Sequence, residues 1–225
     1  MDQFAYVVAH DLKAPLRGIS NLAEWIEEDI KGKVNHETDQ NLKMLRSRVS
    51  RLENLIQGIL MYAKAGKTKA NPELIETKPF VEEIIALLHP PKNSTIKLEG
   101  NWPIVETDPI RFHQIVSNLI SNAIKYNDKE RIEIILNCKT DGETINFSIT
   151  DNGNGIEEEY HQKIFQLFQT LATNDEQTST GIGLSIVKNI IDELGGNIKV
   201  ESKLNIGSKF TFQLPIKETL NFDKK

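Results

Sequence analysis

What the sequence lacks narrows it first. A single cysteine, Cys138, occurs among 225 residues, which rules out an internal disulfide and any multi-cysteine metal site. A reducing, cytoplasmic setting is expected. No apolar run approaches the roughly 20 residues of a membrane span. The opening MDQFAYVVAHDL lacks the basic start and long apolar stretch of a secretory signal. No membrane contact is expected from this stretch, although a longer parent could be membrane-anchored. Basic charge is not in excess: 27 Lys and Arg stand against 32 Asp and Glu, a net charge of -5. Nucleic acid is therefore not an expected partner. Low-complexity segments are missing, apart from a short polar tail after Pro215.

What is present is an ordinary globular composition, 39% hydrophobic and 26% charged, with apolar material enough for a core. The length suits one large domain or two small ones. The chain enters an amphipathic helix almost at once, which suggests a fragment or a protein trimmed of an upstream module.

From residue 4 to about 31, apolar residues recur at Ala5, Val8, Leu12, Leu16, Ile19, Ala23, Ile26 and Ile30. Steps of three and four draw one stripe along a helix. Residues 31–36 break it. A second helix carries Leu42, Leu45, Val49, Leu52, Ile56, Ile59 and Ala63 in heptad spacing. Two long helices with a short connection form an antiparallel hairpin. A lone hairpin cannot enclose a core, so pairing with a second copy into a four-helix bundle is expected. The polar, turn-rich residues 66–72 read as a linker. This divides the chain into domains at 1–66 and 72–217.

Beyond the linker the pattern changes to mixed α and β. Residues 79–88 read as helix, and 95–99 and 104–107 as short strands. Asp108 caps a helix whose first residue is Pro109 and which runs to about Tyr126. Residues 131–138 and 143–150 alternate like paired strands across Asp141-Gly142. A helix from Gly183 to Leu194 stops at Gly195-Gly196. Residues 197–201 and 209–214 close as a hairpin. The fold class is α+β: a helical hairpin followed by an α/β sandwich with a largely antiparallel sheet.

Four motifs carry chemistry. In AHDLKAPLR, residues 9–17, His10 falls off the apolar stripe, on the side expected to face solvent. An exposed imidazole can act as a nucleophile, and Asp11 beside it can hold a proton. Pro15 removes one helical hydrogen bond and bends the helix near His10. The plainer alternative is a surface histidine near a tolerated proline. In NLISNAIKYN, residues 118–127, Asn118, Asn122 and Lys125 share a helical face. Amide oxygens can complete a Mg²⁺ shell otherwise made of phosphate and water, Lys125 can meet phosphate as a point charge, and Tyr126 can pack against a base. In DNGNGI, residues 151–156, Gly153 and Gly155 permit close backbone approach to a ligand, and Asp151 can accept from the exocyclic amine of adenine. In TGIGLSIVKNI, residues 180–190, Gly181 and Gly183 precede a helix start whose free N–H groups suit phosphate. Taken singly, each of the last three is also what an amphipathic helix, a hairpin turn or a glycine-rich loop would show. Residues 157–180 hold Phe165 and Phe168 and then a polar run, which reads as a lid.

Order and spacing together are far more specific. Over nearly its full length the chain resembles bacterial-type sensor histidine kinases. AHDLKAPLR looks like the phosphoacceptor box of that family and NLISNAIKYN like its asparagine box. DNGNGI, KIFQLF and TGIGL resemble the first glycine box, the phenylalanine box and the second glycine box. The resemblance implies a dimerisation and histidine phosphotransfer domain followed by a Bergerat-type ATP-binding domain. It implies ATP and Mg²⁺ as cofactors, His10 as phosphoacceptor and Asp11 as its acid/base partner. Asn122 would ligate Mg²⁺ with Asn118 beside it. Asp151 would read adenine, with Tyr126, Gly153 and Gly155 close by. Lys125, Gly181, Gly183 and the adjoining Leu184 would lie at the phosphates. The implied partners are a second copy, a response regulator receiver domain and an upstream sensor module. His36, His89, His113 and His161 match no acceptor motif. Ala14 stands where many members of the family carry a Thr or Asn that helps position water for dephosphorylating the regulator, so weak phosphatase activity is expected.

Two alternatives remain at this point. An ATPase of the gyrase or heat-shock type shares the nucleotide fold, but it usually carries a glutamate one turn before the Mg²⁺ asparagine to activate water. Asn118 occupies that place and is a poor base, which favours transfer to a residue over hydrolysis. A nucleotide-binding dimer scaffold without catalysis would be expected to show a damaged box, and none is damaged.

Overall fold

The computed structural model describes residues 2–30, 34–65, 71–141, 144–169 and 181–215. The chain forms two compact units, one of residues 1–67 and 166–183, the other of residues 68–165 and 184–225.

The first unit is built on two long helices, α1 (Asp2–Ile30) and α2 (His36–Ala65). Asn35 starts α2: its Oδ1 accepts from the backbone N–H of Thr38 at 2.8 Å, satisfying one of the free donors of the first turn. Pro15 lies within α1, as the sequence requires. The helices pack along one heptad row each. Ala23 on α1 is buried, with Leu16 and Ile30 seven residues to either side half-buried. Val49 and Ile56 are the buried row of α2, and Leu42 on the same row is half-buried. Arg46 and Glu27 form an ion pair between the helices. The second heptad rows stay uncovered: Leu12, Ile19 and Ile26 on α1, and Leu45 and Leu52 on α2, are exposed. Ile59 and Ala63, which continue the α2 stripe, have side chains outside the described residues.

The second unit is a sheet covered by helices. Its elements are β1 (Glu73–Glu76), α3 (Thr77–Leu88), β2 (Ser94–Gly100), β3 (Ile104–Thr107), α4 (Pro109–Lys125), β4 (Ile132–Asp141), β5 (Thr144–Asp151), α5 (Gly183–Glu193), β6 (Asn197–Lys203) and β7 (Gly207–Pro215). Single 3₁₀ turns occur at Glu158–Tyr160 and Lys163–Phe165. The main sheet has the order β2-β4-β5-β7-β6, and β1 pairs with β3 in a separate ribbon. Among the described residues, β2 and β4 run parallel and the other pairs are antiparallel. Strict alternation decides which face is covered. Ile132, Ile134, Leu136 and Cys138 of β4, Ile145, Phe147 and Ile149 of β5, and Phe210, Phe212 and Leu214 of β7 are all buried. Against them α4 places Phe112, Ile115, Val116, Leu119 and Ile120.

An aromatic cluster fixes α4 on the sheet. Phe112 and Phe147 have ring centroids 5.0 Å apart, and Phe147 and Phe212 stack at 5.0 Å. Asp108 caps α4 as expected, with Oδ1 accepting from Ile110 N at 3.0 Å and Arg111 N at 3.1 Å. Its other oxygen accepts from the backbone of Asn71 at 3.2 Å, which anchors the chain where it enters this unit. Burial pushes the Cys138 thiol up to about 12, which leaves it inert as a nucleophile.

Several sequence readings shift at their edges, among them β4, which runs on to Asp141 rather than residue 138. Helix α3 begins at Thr77 rather than residue 79, and β5 extends to include Asp151. Strands β6 and β7 are longer than expected, and β1 was not foreseen. The linker at 66–70 and the turn at 142–143 lie outside the described residues, as does the polar run at 170–180.

Candidate active site

In the second unit the site is built where α4 ends and β5 ends. Asn118, Asn122 and Lys125 follow one another along α4 at the spacing of a single face. The Nδ2 of Asn118 donates to the carbonyl of Gln114 at 2.8 Å, so the amide is oriented and its oxygen remains an acceptor. Asn122 is half-buried, and its side chain meets no hydrogen-bond partner among the described residues. Two neutral amide oxygens on one helical face are a donor set that suits a hard divalent cation also held by phosphate and water. Lys125 lies at the last turn with its ammonium 5.9 Å from the Tyr126 ring. Burial lowers its pKa from the ordinary lysine value.

Asp151 closes β5. Its Oδ1 accepts from the N–H of Gly153 at 2.8 Å and from the N–H of Ser208 at 3.2 Å. Burial pushes the carboxyl up from its ordinary value, opposed by those two N–H donors. The loop after it is stitched to its surroundings. Asn154 N donates to the carbonyl of Tyr126 at 3.3 Å, and Asn205 N donates to the carbonyl of Asn154 at 2.6 Å. Gly155 has φ 70°, and a Cβ built on it would collide with the carbonyl of Lys203, so the motif needs glycine there. Asn152 bolts the loop to the connection between α4 and β4 and to the start of β4. Its Oδ1 accepts from Asn127 Nδ2 at 2.8 Å and from Glu133 N at 2.9 Å, while its Nδ2 donates to the carbonyl of Arg131 at 2.9 Å.

In the first unit, Gly181 has φ 67°, and a Cβ there would lie 2.6 Å from the carbonyl of Gln169. Its own carbonyl accepts from Phe168 N at 3.0 Å. Gly183, the last residue of that unit, is the first residue of α5, and Leu184, which is half-buried, already belongs to the second unit. His10 and Asp11 stand on α1, as expected; their side chains lie outside the described residues. The structure thus places Asn118, Asn122, Lys125, Tyr126, Asp151, Gly153, Gly155 and Leu184 in the second unit, whereas Gly181 and Gly183 belong to the first with His10. Sequence reasoning missed Asn152, which ties the loop outward from within, and Ser202 and Ser208, which hold it from elsewhere in the chain.

Two family models match. The His Kinase A (phospho-acceptor) domain matches residues 1–68, and the Histidine kinase-, DNA gyrase B-, and HSP90-like ATPase matches residues 107–218. The catalytic domain of the histidine kinase ThkA is 30% identical with a TM-score of 0.57, over 65% of this chain and 96% of that one. The chain belongs to the sensor histidine kinase family.

Full-length ShkA in complex with AMPPNP shares the fold of this histidine kinase core across both units, with a TM-score of 0.74 over 97% of the chain and 47% of that structure, at 22% identity. Among curated relatives, Cyanobacterial phytochrome B of Nostoc sp. is 34% identical over 220 residues. The methanogenesis regulatory histidine kinase FilI of Methanothrix harundinacea is 30% identical over 219 residues. The chain spans 29% of the length of the first and 24% of the second. Among the described residues, no helix of the kinase core is long and apolar enough to cross a membrane.

Proposed function

We propose that this histidine kinase core phosphorylates its own His10 from ATP and passes the phosphoryl group to an aspartate of a response regulator. The observation that carries the proposal is one chain holding AHDLKAPLR on α1 of a helical hairpin together with an Asp151-centred, glycine-rich loop behind an asparagine helix. One nitrogen of a neutral His10 attacks the γ-phosphorus in line, and Asp11 holds the proton on the other nitrogen as positive charge builds on the ring. Asp151 accepts from the exocyclic amine of adenine, with Tyr126, Gly153 and Gly155 around the base. Lys125, Gly181, Gly183 and Leu184 serve the phosphates. Asn122, with Asn118 beside it, would ligate Mg²⁺, which supplies neutralisation of phosphate charge. Asn118 offers no base for water, which favours transfer over hydrolysis. Ala14 has no group to hold a water, so phosphatase activity toward the regulator is weak.

The domains divide at the linker, 1–66 for dimerisation and phosphotransfer and 72–217 for ATP binding. The uncovered heptad rows of α1 and α2 support homodimerisation, because a second hairpin would cover them as a four-helix bundle. ThkA has been solved in complex with the response regulator protein TrrA, and a receiver domain is the corresponding partner here. The setting is cytoplasmic, with a sensor module upstream. Asn122→Ala tests the catalytic half. It should retain nucleotide binding measured without metal yet lose Mg²⁺-dependent labelling of the protein by about 100-fold or more. Full labelling would remove Asn122 from the site, and release of free phosphate without labelled protein would favour an ATPase.

A further inference from the structure

The end of β6, just before its turn into β7, contains a hydroxyl with every bonding position filled. Ser202 Oγ accepts from the backbone N–H of Ile156 at 2.8 Å, donates to the carbonyl of Gly207 at 2.8 Å, and lies 2.9 Å from Ser208 Oγ. A serine hydroxyl has one proton and two lone pairs. The proton goes to Gly207, because a carbonyl can only accept. Ile156 takes one lone pair, so the Ser208 hydroxyl donates into the other.

Two of these contacts bear on Asp151. Ile156 closes the loop that Asp151 opens. The carbonyl of Gly207 and the N–H of Ser208 are opposite ends of one peptide unit, which is planar and trans, so the two point in opposite directions. Holding the carbonyl on Ser202 aims the N–H at Asp151 Oδ1, which it reaches at 3.2 Å. Gly153 N donates to the same oxygen. Both backbone donors therefore sit on Oδ1, and Oδ2 is left for a donor on a ligand.

We propose that Ser202 is a positioning residue for base recognition: its hydroxyl fixes the Gly207–Ser208 peptide, and that peptide sets the rotation of the Asp151 carboxylate so that Oδ2 meets the exocyclic amine of adenine. The inference rests on the reading of Asp151 as the adenine acceptor. Ser202 touches no ligand itself. Its effect is confined to the part of the affinity that depends on the amine.

The test compares ATP with purine riboside triphosphate, which lacks the amine, by calorimetric titration of the full chain. The parent should favour ATP by roughly tenfold or more, the value of a hydrogen bond to a charged group. Ser202→Ala should weaken ATP by about tenfold and leave the analogue within about twofold, collapsing the preference. Ser202→Cys, close in size and poor in hydrogen bonding, should behave like Ser202→Ala and provides the test where the alanine variant does not fold. Ser202→Thr should restore the preference. Equal loss for both nucleotides, or loss for neither, would overturn the positioning role. Asp151→Asn separates the two readings. If it keeps the preference for ATP, the Asp151 reading fails and the inference with it. If it abolishes the preference while Ser202→Ala and Ser202→Cys keep it, only the inference about Ser202 fails.

Discussion

The two units use their apolar residues in different ways. In the α/β unit, β4, β5 and β7 turn one face inward and α4 seals it, so Phe112, Phe147 and Phe212 meet in a closed aromatic cluster. Among the described residues of the hairpin, α1 and α2 each carry two heptad rows and cover one of them. Ala23, Val49 and Ile56 are buried, while Leu12, Ile19 and Ile26 are 47%, 45% and 48% exposed. The same chain thus holds one unit that completes its core alone and one whose core is half-built. The first suits a nucleotide site that must be rigid. The second suits an element completed by a second copy.

The sharpest way to break this comparison is to damage the self-contained core. Phe112→Ala should cost about 3–5 kcal/mol, enough to unfold the α/β unit at 37 °C while the helical signal of the hairpin survives. Circular dichroism in the far and near ultraviolet would separate the two. A single cooperative loss of both would mean that the units are not energetically distinct. The second test acts on the uncovered rows. Ile19→Glu places a charge in the surface proposed to pair, and should shift the chain from dimer to monomer in sedimentation at micromolar concentration with ATP affinity within about twofold of the parent. A parent that is already monomeric would contradict the half-built core.

How much of this was legible in the sequence follows the same division. Helix α4 could be read locally, because Asp108, Pro109 and the apolar spacing are neighbours in the chain. The paired strands β4 and β5 announced themselves by alternation. Strand β1 did not: four residues with one buried side chain, Ile75, carry no periodic signal, and its partner β3 is distant in sequence. The parallel pairing of β2 with β4 had no local signature either. At the site, Asp151, Gly153 and Gly155 were visible as a motif. The serines behind them were not, because Ser202 meets Ile156 across 46 residues and Ser208 meets Asp151 across 57. A hydroxyl whose role is set by a distant backbone leaves nothing in its own neighbourhood to read.

A smaller effect sharpens the electrostatic side of the α/β unit. The carboxyl of Asp151 is pushed above its ordinary value of 3.8, mainly by burial. A raised value means that the folded state prefers the protonated form. Its stabilising contribution is complete below the ordinary value and is lost as pH rises through the raised one, so the ionised group is a cost at neutral pH. Asp151→Asn should therefore raise the melting temperature of the nucleotide-free chain at pH 7, and the advantage should vanish as pH is lowered below about 4. The same variant should weaken ATP by roughly tenfold or more. Lower stability at pH 7 together with unchanged ATP affinity would contradict both parts.

Autophosphorylation of His10 from ATP is the reading proposed for this kinase core. The most direct measurement is the location of the phosphoryl group after incubation of the purified chain with Mg²⁺ and radiolabelled ATP. Acid-labile, alkali-stable label should appear on the parent, map to the peptide containing His10 by mass spectrometry at neutral pH, and be absent from His10→Ala, which should still bind ATP with parental affinity. Substantial labelling of His10→Ala, or label on any other residue of the parent, would contradict the account.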